Sequence, residues 1–558
     1  MGIVQIIAVI LILVLLVKPA GTYLYHVFSG EPNRTDRIFG AAERGIYRLL
    51  GLKQREGMSW KKYALSFIGT NLVLVAFSYI LLRLQKGLPL NPGGIGGMEQ
   101  TLTFNTVISF MTNTNLQHYS GETGVSYLSQ MAVMTMLMFT SAASGLAVAV
   151  AFVRGITGRG SVGNFFEDFV KAHVRIFLPF ALLVTLALVA VHVPQTLKPT
   201  LEVTTLEGQT QQIAIGPVAS LESIKHIGTN GGGFFGANSA HPFENPSPLS
   251  NVLEILSMWL IPASLPYMYG KFARNKRQGW MIFGAMMTLF VLLLGLNYAA
   301  ERAGNPAINA MGIDAAQGSM EGKEVRFGIP QSALFTTVTT AATTGSVNNM
   351  HDTLTPLGSI TPLTLMMLNT VFGGKGVGLV NMLMYAILGV FLCGLMVGRT
   401  PEFLGRKIEA REMKLIAIAI LIHPLIILVP TAAAFLTELG KGSISNPGFH
   451  GMTQVLYEYV SSAANNGSGF EGLADNTSFW NITTGVVMLL GRYVSIIAML
   501  AVAGSLLRKK PVPETIGTFR TDNGLFTGIL IGTVLIIGAL TFLPVIVLGP
   551  VAEYLTLR

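Results

Sequence analysis

Residues 228–233 read Gly-Thr-Asn-Gly-Gly-Gly, and three other segments are built on the same plan: Thr-Asn-Thr-Asn at 112–115, Ala-Ala-Thr-Thr-Gly-Ser at 341–346 and Ser-Ala-Ala-Asn-Asn-Gly-Ser-Gly at 462–469. Each follows a short amphipathic stretch that is too short to cross a bilayer. Each precedes a long apolar helix candidate. A segment of Thr, Asn and Gly can aim backbone carbonyls at a dehydrated cation. One such segment reads as an ordinary loop at the end of a span. Four of them in one apolar chain predict one pore with four walls.

The surrounding composition supports that architecture. The chain has 558 residues, 51% hydrophobic and only 12% charged, with a mean hydropathy of +0.56. A soluble domain carries about 25% charged residues, so this is an all-α polytopic membrane protein. Ten apolar spans are predicted, at roughly 2–17, 63–82, 126–153, 174–193, 251–270, 280–299, 361–397, 415–436, 481–507 and 524–548. The single cysteine, Cys393, lies in an apolar run, which excludes an intrachain disulfide framework or a cysteine-based metal cluster.

The spans and motifs fall into four fused repeats of span, short pore helix, filter segment and span, at about 63–153, 174–270, 280–397 and 415–507. Helices 2–17 and 524–548 flank them, and residues 1–558 form a single membrane domain. The first span is expected to be retained, because no basic region precedes it and no small-residue cleavage site follows Lys18-Pro19-Ala20. The pore helices are expected at about 101–112, 217–228, 331–342 and 453–464. Pro217 and Pro330 mark two of their starts, where a missing N–H costs little.

The formal charge of +9 is a topology signal. Connections 18–62, 154–173, 271–279, 398–414 and 508–523, with Arg175 at a span end, hold 26 of the 37 Lys and Arg residues. The alternate connections hold all four motifs and few basic residues. The positive-inside rule puts the basic set in the cytoplasm, and hence the motifs and both termini outside. Nucleic acid is not an expected partner. Membrane lipids are, since basic loops meet acidic headgroups.

Aligned on their apolar approach, the candidate filter residues are Asn113, Thr114 and Asn115; Thr229, Asn230, Gly231 and Gly232; Thr343, Thr344 and Gly345; and Asn465, Asn466 and Gly467. Three segments carry Gly where the backbone must turn its carbonyls inward, since Gly takes φ > 0 without steric cost. The first carries Asn115, Leu116 and Gln117 there, so the ring is expected to depart from four-fold symmetry. At about 8 Å and an effective dielectric of about 20, each pore-helix C-terminus contributes roughly 1 kcal/mol to holding a cation. Direct carbonyl ligation must therefore supply most of the binding. The segments hold no Asp or Glu, which points to a monovalent cation, potassium first and sodium second, over a divalent one.

The seventh span is interrupted by Phe372-Gly373-Gly374-Lys375-Gly376-Val377-Gly378. Non-helical backbone at membrane depth is tolerated only inside protein or along a water-filled cavity. This break is read as a gate or ion-exit element just below the filter. Lys375 within it, and Arg492 inside the ninth span, are the only basic residues placed at membrane depth. A charge there costs about 3 kcal/mol unless it is paired or faces water.

Longer runs carry a resemblance. TNTN followed by YSGETGVSYLSQM, GTNGGGFFGANSAHPFENP, MEGKEVRFG, VGRTPEFLGRKIEAREMK and SSAANNGSGF closely resemble the A chain of potassium-transporting ATPases, the KdpA family, over essentially the whole sequence. The resemblance implies the superfamily of potassium transporters, a K+ filter loaded from outside, and lateral passage of the ion to a P-type ATPase subunit (KdpB). It also implies a C subunit (KdpC), a small F peptide (KdpF) and a bacterial cell membrane. It carries the filter onto the residues named above together with Gln117, and a gate or coupling role onto Asn369, Phe372, Gly373, Gly374, Lys375, Gly376, Gly378 and Arg492. In that family the gate segment often carries an acidic residue able to pair with the arginine. Here Asn369 offers no charge and Lys375 adds a positive one.

The sequence has neither a DKTG phosphorylation motif nor a GxxxxGK[ST] loop, so no ATP site or catalytic site is expected on this chain. The nine histidines are scattered, and each reads as a surface or core residue. The alternative is a channel-like K+ transporter of the Trk/Ktr type, gated by a separate nucleotide-binding subunit. The first and tenth spans and the long runs favour the pump subunit. A membrane-embedded lipid glycosyltransferase would need clustered carboxylates at a membrane face, and no such motif is evident.

Overall fold

A computed structural model describes residues 2–32, 35–52, 56–313, 318–398, 400–513 and 518–557. Parts of the basic connections 18–62, 398–414 and 508–523 lie outside those residues. Among the described residues, ten helices are long and apolar enough to cross a membrane. They are α1 (Gly2–Ser29), α2 (Trp60–Leu84), α4 (Tyr127–Thr157), α5 (Phe165–Ala190), α7 (Pro248–Phe272), α8 (Lys276–Ala303), α11 (Val377–Met396), α12 (Ala410–Leu436), α14 (Ser478–Leu507) and α15 (Gly524–Ile546). The four pore helices are α3 (Gln100–Met111), α6 (Val218–Ile227), α9 (Gly328–Ala341) and α13 (Phe449–Ala464). A further short apolar helix is α10 (Pro356–Leu368).

Polar side chains fix where these helices begin. Ser59, Glu99, Thr355, Thr477 and Asn523 each accept a hydrogen bond from a backbone N–H in the first turn of the helix they open. Pro217 precedes the first residue of α6, and Pro330 lies in the first turn of α9. The seventh span departs from its expected course. Its first half begins at Pro356 and ends at Leu368, and the break runs from Asn369 to Gly376. Two short antiparallel hairpins, 201–204 with 210–213 and 402–403 with 406–407, sit in the loops.

The repeats close into a ring. The last repeat's α14 packs on α3 and α4 of the first, while α12 and α13 pack on α14. The first repeat's α4 is the most deeply buried span, and α1 lies against α7 at the periphery. Both ends of the chain reach the side where the pore helices start. Gln331 at the start of α9 donates to Gln5 at 3.3 Å, and His450 in α13 contacts Glu553 at 2.9 Å. The other side is knitted by basic residues. Arg154 pairs with Asp168 at 2.7 Å and donates to the Phe28 carbonyl, Arg175 pairs with Glu43, Arg406 donates to the Ile156 carbonyl, and Lys509 pairs with Glu412 at 2.6 Å.

Candidate functional site

Each pore helix ends in the same way. A left-handed residue closes each: Asn113 (φ 61°), Thr229 (48°) and Thr343 (45°) just past the cap, and Asn465 (53°) as the cap itself. The next N–H reaches back five residues, from Thr114 to Ser109 O, Asn230 to Lys225 O, Thr344 to Thr339 O and Asn466 to Ser461 O, at 2.8–2.9 Å. This is the hydrogen bond of a Schellman cap. The residue after that is left-handed again: Asn115 (57°), Gly231 (88°), Gly345 (80°) and Gly467 (103°). Alternation of positive and negative φ can turn successive carbonyls to the same side, as a cation filter requires.

The four repeats therefore share left-handed backbone at these two positions, Asn115 included, while Gly232 (φ 68°) adds a third such residue in the second repeat alone. Asn115 adopts the conformation for which the other repeats use Gly. Asn is among the residues that tolerate it best. The order around the ring follows from what a Cβ would meet. On Gly231 it would strike Thr344 O, on Gly345 Asn466 O, and on Gly467 Thr114 O. Glycine at these positions lets neighbouring repeats approach. At the junction of the first and second repeats, Asn113 instead donates its amide to Thr229 O at 2.7 Å.

The side chains of the middle residues brace the segments from behind. Asn230 donates to Met138 O and Asn466 to Thr339 O, and the Thr114 hydroxyl accepts from Asn465 Nδ2 at 3.0 Å. Thr344 is buried. Gln117 spans to the second repeat, accepting from Gly233 N at 2.8 Å and donating to Gly233 O at 3.2 Å. Gly232 lies under it, and a Cβ there would stand 3.0 Å from Asn115 O and 3.2 Å from Gln117 Oε1. Above the filter an open vestibule is lined by Asn115, Gln117, His118, Glu471 and Asp475.

The break lies directly beneath. Gly374 N donates to the Thr343 hydroxyl at 3.3 Å, and a Cβ on Gly374 would strike Thr229 Oγ1 and Ala342 O. Phe372 (φ 51°) packs against Trp259, Phe283 and Phe290, while Gly373 and Gly378 abut each other. Lys375 is itself left-handed (φ 57°), followed by Gly376 (86°), and its ammonium points up into the filter. Arg492 donates through Nη2 to Ser141 O at 3.1 Å, and its Nε and Nη1 find no partner among the described residues. A small cavity, about 50 Å³, adjoins the break and the fourth filter segment. Asn369, Asn381, His423, Asn465 and Arg492 line it.

Two ionic clusters escaped the sequence reading. Behind the second filter segment, buried Lys225 pairs with Glu222 and Glu244 at 2.8 Å each, and Glu244 accepts from Phe235 N. Lys225 is thus enclosed like Lys375 and Arg492, and so is the side chain of Lys323, which pairs with Glu301. In the vestibule wall, His118 stands 3.2 Å from Glu458 and 3.8 Å from Asp475, with Asn481 at 2.7 Å on its other nitrogen. Burial alone would lower its pKa. The charges of Asp475 and Glu458 and its hydrogen bonds outweigh that and raise it to about 9. Amphipathic spacing on the pore helices (Glu222/Lys225, i to i+3) was the available signal for the first cluster. The second joins residues more than 300 positions apart and had none.

A "Potassium-transporting ATPase potassium-binding subunit" from Geobacillus kaustophilus (strain HTA426) is 65% identical over 551 residues, covering 99% of this chain and 98% of that protein. The crystal structure of the potassium transporter TrkH from Vibrio parahaemolyticus superposes with a TM-score of 0.52 at 15% identity, over 90% of this chain and 99% of that one. At that identity the likeness is one of fold. The family model for the potassium-transporting ATPase A subunit, KdpA, matches residues 7–555, and the chain belongs to that family.

Proposed function

We propose that this chain is the potassium-binding and translocating subunit of an ATP-driven uptake complex. K+ enters the filter from the vestibule, is held by backbone carbonyls of the four repeats, and leaves sideways through the cavity beside Asn369 and Arg492. The filter positions are Asn113, Thr114, Asn115, Thr229, Asn230, Gly231, Gly232, Thr343, Thr344, Gly345, Asn465, Asn466 and Gly467, with Gln117 holding the second segment. The receiving partner is a P-type ATPase subunit, which supplies the hydrolysis. A C subunit and a small F peptide complete the assembly.

The observation that carries the reading is the repeated alternation in the sign of φ at four helix ends, closed into a ring by glycines set against neighbouring carbonyls. Neutral oxygens suit a large monovalent ion, since small divalent ions favour carboxylates. Growing K+ stimulation of ATP hydrolysis in the purified complex, with Rb+ substituting and Na+ failing, is the expected result. Hydrolysis indifferent to K+ would reject it.

A further inference from the structure

Below the filter, Lys375 Nζ donates to three backbone carbonyls from three different repeats: Asn113 O at 2.7 Å, Asn465 O at 3.0 Å and Thr343 O at 3.4 Å. These are the left-handed residues that open each filter segment, so their carbonyls form one level of the pore. The fourth member of that level, Thr229 O, is taken by the Asn113 amide at 2.7 Å. An ammonium has three N–H donors and no acceptor. Three donors meet the three carbonyls left open.

Several features hold the side chain there. Lys375 has a left-handed backbone, which non-glycine residues adopt at a cost of order 1 kcal/mol or more. Gly145 of α4 makes room for it. A Cβ on that glycine would stand 2.6 Å from Lys375 Cβ and 2.8 Å from Arg492 Nη2. Lys375 is buried, and among the described residues no carboxylate pairs with it. Filter carbonyls are its counter-dipoles.

We infer that the innermost level of this filter is a cation site whose resident is the chain's own Lys375 ammonium, a tethered ion that K+ must displace to leave the filter. This rests on the proposed K+ filter and adds its occupancy and exit rule. An ammonium and a dehydrated K+ are close in size, and both are satisfied by carbonyl oxygens near 2.8 Å. With Lys375 seated, K+ occupies only the levels above it. When the ammonium swings aside, its carbonyls pass to the ion, and the site never stands without a positive charge.

The test is ⁸⁶Rb+ binding at saturation to the purified complex containing the parent chain, Lys375→Met or Lys375→Arg. Lys375→Met is expected to bind one more Rb+ per chain than the parent, and Lys375→Arg no more. Equal stoichiometry in parent and Lys375→Met overturns the inference. No Rb+ binding by the parent would instead overturn the filter reading. A second measurement needs no variant. Thallium soaked into the parent complex should give anomalous density above, but not on, the ring of Asn113, Thr343 and Asn465 carbonyls. A thallium peak on that ring overturns the inference even if Lys375→Met fails to fold.

Discussion

At the scale of residues, close approach decides what the filter tolerates. Gly345→Ala puts a methyl group against Asn466 O at a backbone φ of 80°. Its expected effect is loss of K+ affinity by about tenfold or more, read from K+ stimulation of ATP hydrolysis. Gly398→Ala has the same left-handed backbone (φ 71°) in open space, and should leave that affinity unchanged. Gly232→Asp brings a carboxylate toward Asn115 O and Gln117 Oε1, so it should relax K+ over Na+ selectivity more than it harms folding. Unchanged apparent affinity in well-folded Gly232→Asp would remove that residue from the ion path. His118 governs a separate property. Its folded pKa, about 9, lies above its ordinary 6.5, so its contribution to stability is complete below pH 6.5 and is lost as pH rises through 9. The thermal midpoint should fall between pH 7 and 10 by an amount equivalent to a few kcal/mol, and His118→Gln should flatten that dependence. A parent midpoint independent of pH over this range would refute it. The left-handed turns at Gly231, Gly345 and Gly467 were legible in the sequence because glycine favours them. Asn115 hid its left-handed turn, and His118 hid its carboxylates, because neither depends on near neighbours in the chain.

At the scale of elements, the break in the seventh span is where helix, filter and cavity meet. Four glycines in six residues marked it in the sequence, but the helix already stops at Asn369, whose left-handed conformation (φ 46°) caps α10. Asn381 then donates to Asn369 O at 2.8 Å, tying the broken end to α11. That cap was invisible to a reading based on glycine alone, since Asn takes αL nearly as readily at helix ends. The pore helices were found within a few residues because their length, apolar run and terminal Thr/Asn/Gly motif recur four times. Deleting Gly374 to Val377 removes both Lys375 with its flanking glycines and the tight contact under Thr229. The shortened chain should pass K+ passively in proteoliposomes without ATP, and its hydrolysis should no longer depend on transport. Lys375→Ala should leak more mildly, because the helical walls remain. A fixed positive charge beneath a cation raises the energy of an ion moving toward it, and low dielectric enlarges the effect. Two variants as tight as the parent, pumping normally, would reduce the break to a kink.

At the scale of the whole molecule, the positions of charge in the sequence make a claim about sidedness that the fold sharpens. The ring of repeats sends every pore-helix start, and both chain ends, to one side, where Gln5 meets Gln331 and His450 meets Glu553. The opposite side gathers Arg154, Arg175, Arg406 and Lys509, each bound to a carboxylate or a helix-end carbonyl. Sequence reading reached the ten spans and this grouping because hydropathy and loop charge are local sums. It could not reach the ring's closure of α14 onto α3 and α4, which joins residues nearly 400 positions apart. The positive-inside rule assigns the basic side to the cytoplasm. Cysteines placed at exposed Lys407 and Lys510, in a chain with Cys393 replaced, should then react with a membrane-impermeant thiol reagent only from the cytoplasmic face. A cysteine at exposed Asn446, in the connection leading to α13, should react only from outside. Since 436–450 and 398–414 flank the same helix, α12, one inverted result at either end would invert the whole arrangement, and with it the direction in which the vestibule faces. Labelling of Asn446→Cys from the cytoplasm alone would place the filter mouth inside the cell and defeat uptake from the vestibule as the chain's role.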